Sequence, residues 1–216
     1  MNKTSVGFTL TLLALAACGG ASAAPAIAPA PAVEAPAPGA AVSGSFAITA
    51  QNSKIDWTGS KTSAHHDGSF TSFTGKIDLP GAIERGSVSI DIDTPSLTIA
   101  ADPALGPMVD KLAGHLKSPD FFDVAKFPKA TFVSSSIAPS AGGGAANYTV
   151  GGTLTLHGVS KPISFPATIA ASAAKVDAAA TFTINRKDFG LAYPGKPDDL
   201  IKDDVQIKLT IHADKQ

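Results

Sequence analysis

Val205-Gln206-Ile207-Lys208-Leu209-Thr210-Ile211-His212 alternates apolar and polar residues without a break. Successive side chains of an extended chain point to opposite faces, so the four aliphatic residues share one face. The stretch predicts a β-strand with one buried side. The same period of two recurs upstream. Ile55 and Trp57 alternate with Lys54, Asp56 and Thr58. Phe73, Ile77 and Leu79 share a parity, with Gly75 between them. Val88, Ile90 and Ile92 alternate with Ser87, Ser89, Asp91 and Asp93. Ala130, Phe132 and Ser134 share a face, as do Ile163, Phe165, Ala167 and Ile169, and then Phe182 and Ile184. Tyr148 and Val150 open a strand that Leu154 and Leu156 continue, and the Gly151-Gly152 pair between them reads as a bulge.

Turn signals separate these runs: Pro80-Gly81, Glu84-Arg85-Gly86, residues 140–147 and His157-Gly158. Many short strands at this spacing predict an all-β fold, a sandwich or an antiparallel barrel of about eight strands. One stretch breaks the pattern. Leu105, Met108, Leu112 and Leu116 fall at helical spacing, which predicts a short helix over residues 105–116 that caps the barrel or covers a gap in it.

The first residues indicate export. Lys3 precedes an uncharged apolar run over residues 6–17, too short for a membrane span of about 20 residues. It reads as the core of a signal peptide over residues 1–17. Leu15-Ala16-Ala17-Cys18 looks like a lipobox, and Cys18 is the only cysteine in the chain. Lipidation at Cys18 would anchor the protein to a membrane. Cleavage after Ala21-Ser22-Ala23 is the alternative. No aspartate follows Cys18, which favours a periplasmic location at the outer membrane. Residues 18–44 are rich in Ala and Pro with one charge, Glu34, and read as a disordered tether. The folded domain is expected over residues 45–216.

A net charge of −1 and the lack of a basic run argue against a nucleic-acid partner. The glycines form no phosphate-binding fingerprint, and no nucleophile elbow occurs. No cofactor is indicated. His65-His66-Asp67 lacks further ligands at metal spacing, so a metal site is not expected. Asp198-Asp199 and Asp203-Asp204 lack the order of a calcium loop and read as a solvated loop.

Three motifs agree in order and spacing. The first is His115-Leu116-Lys117-Ser118-Pro119-Asp120-Phe121-Phe122-Asp123-Val124-Ala125-Lys126-Phe127-Pro128-Lys129-Ala130-Thr131-Phe132. The second is Leu154-Thr155-Leu156-His157-Gly158-Val159-Ser160-Lys161-Pro162-Ile163, and the third Phe182-Thr183-Ile184-Asn185-Arg186-Lys187-Asp188-Phe189-Gly190. Together they resemble the YceI-like family of bacterial extracytoplasmic proteins over residues 46–213. The resemblance implies a lipocalin-like barrel that holds a long-chain isoprenoid or similar apolar lipid.

An eight-stranded barrel is either filled by its own side chains or holds one small ligand. Stretches such as Ala178-Ala179-Ala180 and Ala170-Ala171 carry little bulk and leave room if they face inward. Parity makes Trp57, Phe73, Ile90, Phe132, Phe165, Phe182 and Ile184 the candidate walls. His66, His115 and Arg186 are candidate polar groups at the mouth. His115 also suits a helix C-terminus, and Arg186 can pair with Asp120 or Asp123 or meet a phosphate. The expected role is binding, not catalysis. An enzyme would require His66, His115, Asp120 and Arg186 to converge in the cavity. A protective protein with a solid core would have no cavity.

Overall fold

Alternation becomes strand almost everywhere it was expected. The computed structural model describes residues 41–101, 105–140 and 145–216. The expected signal peptide, Cys18 and most of the tether lie outside them. The strands are β1 (Val42–Thr49), β2 (Lys54–Lys61), β3 (His65–Phe70), β4 (Phe73–Gly81), β5 (Ser87–Asp93), β6 (Leu97–Ile99), β7 (Lys129–Pro139), β8 (Tyr148–Leu156), β9 (Val159–Ala171), β10 (Lys175–Asn185), β11 (Gly195–Lys196) and β12 (Asp199–Lys215). One α-helix among the described residues, α1 (Met108–Lys117), lies between β6 and β7.

Eight strands close into an antiparallel barrel in the order β1-β4-β5-β7-β8-β9-β10-β12 and back to β1. Closure rests on Phe46 opposite Lys215 and Ala47 opposite Asp214. β12 is 17 residues long and serves two partners on one side. Its last residues pair with β1, while Ile201 to Thr210 pair with β2. β2 then carries β3 and β6 as a flap beside the barrel. The flap's outer strand packs against α1.

Three details differ from the sequence reading. β1 starts at Val42, inside the stretch read as tether; Phe46 and Ile48 alternate there and are both almost wholly buried. The helix starts at Met108, not residue 105. The chain turns at Gly106 (φ +48°) and Pro107, and a proline ring suits a helix start better than its interior. The extra residue near Gly151-Gly152 belongs to the partner strand: Ser134 faces Gly152 and Ser136 faces Gly151, leaving Ser135 of β7 unpaired.

The His157-Gly158 turn between β8 and β9 holds φ values of +52° and +75°, the left-handed pair that suits a two-residue hairpin. Its His157 Nδ1 donates to the Phe189 carbonyl at 3.2 Å.

Gly68 shows why one position tolerates no side chain. A Cβ there would stand 2.1 Å from the Thr98 carbonyl oxygen and 2.3 Å from Trp57 Cζ2. The indole of Trp57 therefore lies against the β3 backbone and forms part of the inner wall. We expect Gly68→Ala to cost about 2 kcal/mol through overpacking. Urea unfolding followed by the emission of Trp57 reads both the loss and any displacement of the ring.

Candidate ligand cavity

Strand parity decides what faces the barrel axis. Along β10 the inward set is Val176, Ala178, Ala180, Phe182 and Ile184, and along β9 it is Ile163, Phe165, Ala167 and Ile169. Ala178 and Ala180 thus face inward, whereas Ala170 is exposed outside. Several inward residues are only half-buried, among them Ala178, Phe182, Ile207 and Leu209. Residues that point at the axis and still have exposed surface border open space. That space is a cavity of about 450 Å³, within the range of small-molecule sites.

Of the expected walls, Trp57, Ile90, Phe132, Phe165, Phe182 and Ile184 line the cavity. Phe73 does not. It is buried in the hydrophobic core at the start of β4, opposite Ile92, with 4% of its surface exposed. Parity identified its face but not its depth along the barrel. Trp57 contributes apolar area only. Its Nε1 is buried and meets no hydrogen-bond acceptor among the described residues.

The polar lining is confined to one end. Ser60 and Lys61 end β2, His66 is the second residue of β3, His115 is near the C-terminus of α1, Arg186 follows β10 and Asp199 opens β12. Tyr193 and Lys196 join them from the segment between. The far end is lined by Ile48, Leu79, Ile169, Val176 and Ile211. The cavity is therefore a greasy pocket with a polar mouth.

The three expected mouth residues all line it, in different capacities. His66 is half-buried on the inward face of β3, while its neighbour His65 points out. His115 Nε2 lies 3.0 Å from Asp120 Oδ2, and its ring stands edge-on to Phe121 and Tyr193 at 5.1 and 5.0 Å. Asp120 thus holds the ring of His115. The backbone cap falls to Ser118, whose hydroxyl donates to the His115 carbonyl at 2.8 Å. Phe121 is buried and Phe122 half-buried, and both turn inward to the cavity.

Arg186 is a clamp. It is 4% exposed. Its Nε donates to the Lys202 carbonyl at 3.0 Å, Nη2 to the Ile201 carbonyl at 3.1 Å and to Asp203 at 3.4 Å, and Nη1 to the Leu191 carbonyl. Its carboxylate is Asp203, not Asp120 or Asp123. Burial lowers its pKa below the ordinary value, opposed by the charge of Asp203. These bonds explain the register shift in β12 between Ile201 and Val205, where the guanidinium takes over carbonyls next to the ladder. Residues 199–204, within the stretch read as a solvated loop, are strand: Asp199 and Leu200 pair with β11, Ile201 with Lys61 of β2 and Asp204 with Asn185 of β10.

Lys61, Tyr193 and Asp199 also line the mouth, and no local pattern marks them for that place. Lys61 Nζ lies 2.5 Å from Asp199 Oδ2, and Ser63 donates to the same carboxylate from both its amide and its hydroxyl, each at 3.1 Å. The Lys61 hydrogen bond is the largest cause holding the Asp199 pKa below the usual carboxylate value. A lysine and an aspartate 138 residues apart have no local pattern to reveal their pairing. No group of three or more His, Cys, Asp or Glu that could hold a metal ion occurs among the described residues. Of the four residues an enzyme would use, His115 and Asp120 are brought together; Arg186 is held by its own partners.

The family model described as the YceI-like domain matches residues 46–213. The chain belongs to the YceI-like family. A UPF0312 protein of Pseudomonas putida is 32% identical over 180 residues, which cover 79% of this chain and 88% of that protein. Among solved structures, Burkholderia cenocepacia BcnA is 26% identical and superposes with a TM-score of 0.62 over 76% of this chain and 98% of its own. A polyisoprenoid binding domain from Saccharophagus degradans, implicated in plant cell wall breakdown, is 18% identical, with a TM-score of 0.60 over 81% of this chain and 99% of its own. Both solved structures share the fold of this chain.

Replacing Arg186 with Met keeps the apolar length but leaves three carbonyls without this donor. We expect a loss of about 3 kcal/mol, read as a lowered urea midpoint. Arg186→Lys should recover little of it, because an ammonium cannot reproduce the planar fork.

Proposed function

We propose that this protein binds a long isoprenoid chain, such as a polyprenyl or quinone-like lipid, with its tail in the barrel and its head at the mouth. The observation that carries the reading is the set of inward aliphatic and aromatic residues with surface left exposed to an internal hollow. Water solvates such a lining poorly. A hydrocarbon gains about 0.8 kcal/mol for each methylene moved from water into it, against the cost of ordering and association. The polar residues gathered at one end suit a head that remains near solvent. The family membership and the polyisoprenoid binding domain that shares the fold support the same reading. The protein's work is sequestration or carriage, with no bond made or broken.

The test is extraction. Protein purified from its native host, denatured in organic solvent and analysed by mass spectrometry, should release an isoprenoid in near-stoichiometric amount. Consistently empty protein would overturn the reading.

We further propose that the barrel works outside the cytoplasm, in the periplasm, on a lipid anchor at Cys18 of the outer membrane. The apolar run at residues 6–17 and the position of the sole cysteine support this. Cys18→Ser should shift the protein from the membrane to the soluble fraction of a cell lysate; unchanged fractionation would remove the anchor from the proposal.

A further inference from the structure

The lining of the cavity is not uniform in size. Phe132 and Phe165 stand 5.7 Å apart, and Phe165 stacks on Phe182 at 4.2 Å with 9° between the planes. These rings form a row across β7, β9 and β10. Gly152 of β8 makes the row possible: a Cβ there would stand 2.6 Å from Phe132 Cζ. The next inward pair, farther from the mouth, is Ala167 opposite Ala180, followed by Ile169 opposite Ala178. Both alanines line the cavity. Along β9 and β10, side-chain size from the mouth inward therefore rises to the Phe165–Phe182 stack and then drops.

Depth follows from strand geometry. Ile184 to Ala180 spans about 13 Å of strand and Ile184 to Val176 about 26 Å. Tilt of the strands reduces these to roughly 10 and 20 Å along the axis. A short tail ends near the aromatic row. A long tail has to pass the rings and lodge beyond them.

We propose that the Ala167–Ala180 pair behind the aromatic row sets the length of isoprenoid tail that the barrel accepts. The rings narrow the passage and the alanines behind them provide the room that a long tail needs. This rests on the isoprenoid reading of the cavity and adds a length limit to it. A larger side chain at either position removes the inner space and leaves the mouth and the outer half unchanged. Discrimination by added bulk in an apolar pocket is commonly tenfold or more.

The experiment uses the full chain freed of lipid, with farnesol as the short probe and solanesol as the long one. Trp57, the only tryptophan and a wall residue, reports binding through its emission. The wild type is expected to bind both. Ala180→Phe should weaken solanesol at least about tenfold and leave farnesol within about twofold. Ala167→Val, a smaller intrusion, should shift the same ratio in the same direction, and it carries the test if Ala180→Phe does not fold. Equal weakening of both probes, or no change in either, would falsify the length limit while leaving the isoprenoid reading in place. Failure of the wild type to bind either probe would overturn both.

Discussion

Two residue pairs, Phe46–Lys215 and Ala47–Asp214, turn an open sheet into a closed one. Closure removes the free margins of β1 and β12 that would otherwise need partners. It also gives the inward faces of eight strands a common axis. Phe46 and Ala213, on either side of the seam, have no exposed surface, so the junction is sealed by packing as well as by its ladder. The Gln216 amide adds a bond to the Ser45 carbonyl at 2.9 Å. Without this seam the residues described as walls would line an open face, and nothing would enclose a guest.

A hollow interior runs against the tendency of proteins to pack at crystal-like density. Here the outer layers pack normally and the deficit is confined to the axis. Phe46, Leu97 and Phe189, away from the cavity, are almost wholly buried, while Leu154, Ile163, Ile207 and Leu209 keep surface on the inside. The empty space costs dispersion contacts along its lining. A hydrocarbon guest restores those contacts, which couples occupancy to stability through simple mass action. The mouth is tied across its strands by polar side chains. Arg186 joins β10 to the start of β12, and the Lys61–Asp199 pair joins β2 to the same place.

The strands were legible because burial follows a period of two, and that period is local. Val205 to Ile211 kept the alternation that the sequence displays. Trp57, Ile90, Phe132, Phe165, Phe182 and Ile184 share the inward parity and line the cavity. Parity failed to separate Phe73, because depth along a barrel depends on register and stagger between strands distant in sequence. Arg186 was recognised as important and given the wrong partners for the same reason. Its acceptors are carbonyls of Leu191, Ile201 and Lys202, and carbonyls are present at every position. Tyr193 was invisible in a stretch of Pro and Gly, since its place at the mouth comes from the fold of the β11–β12 hairpin. The Gly151-Gly152 pair was noticed, but the irregularity belongs to Ser135 across the ladder, and the glycine's use is the space it gives the ring of Phe132.

Among the described residues, the flap of β2, β3 and β6 ends on a strand whose outer margin pairs with no further strand. That strand is β6, only three residues long and packed against α1. A longer bare rim would serve as a template on which a second copy could extend the ladder and then a third. A rim this brief gives an incoming chain too few amide contacts to hold, so the fold can expose a sheet beside its ligand pocket without seeding runaway polymerisation.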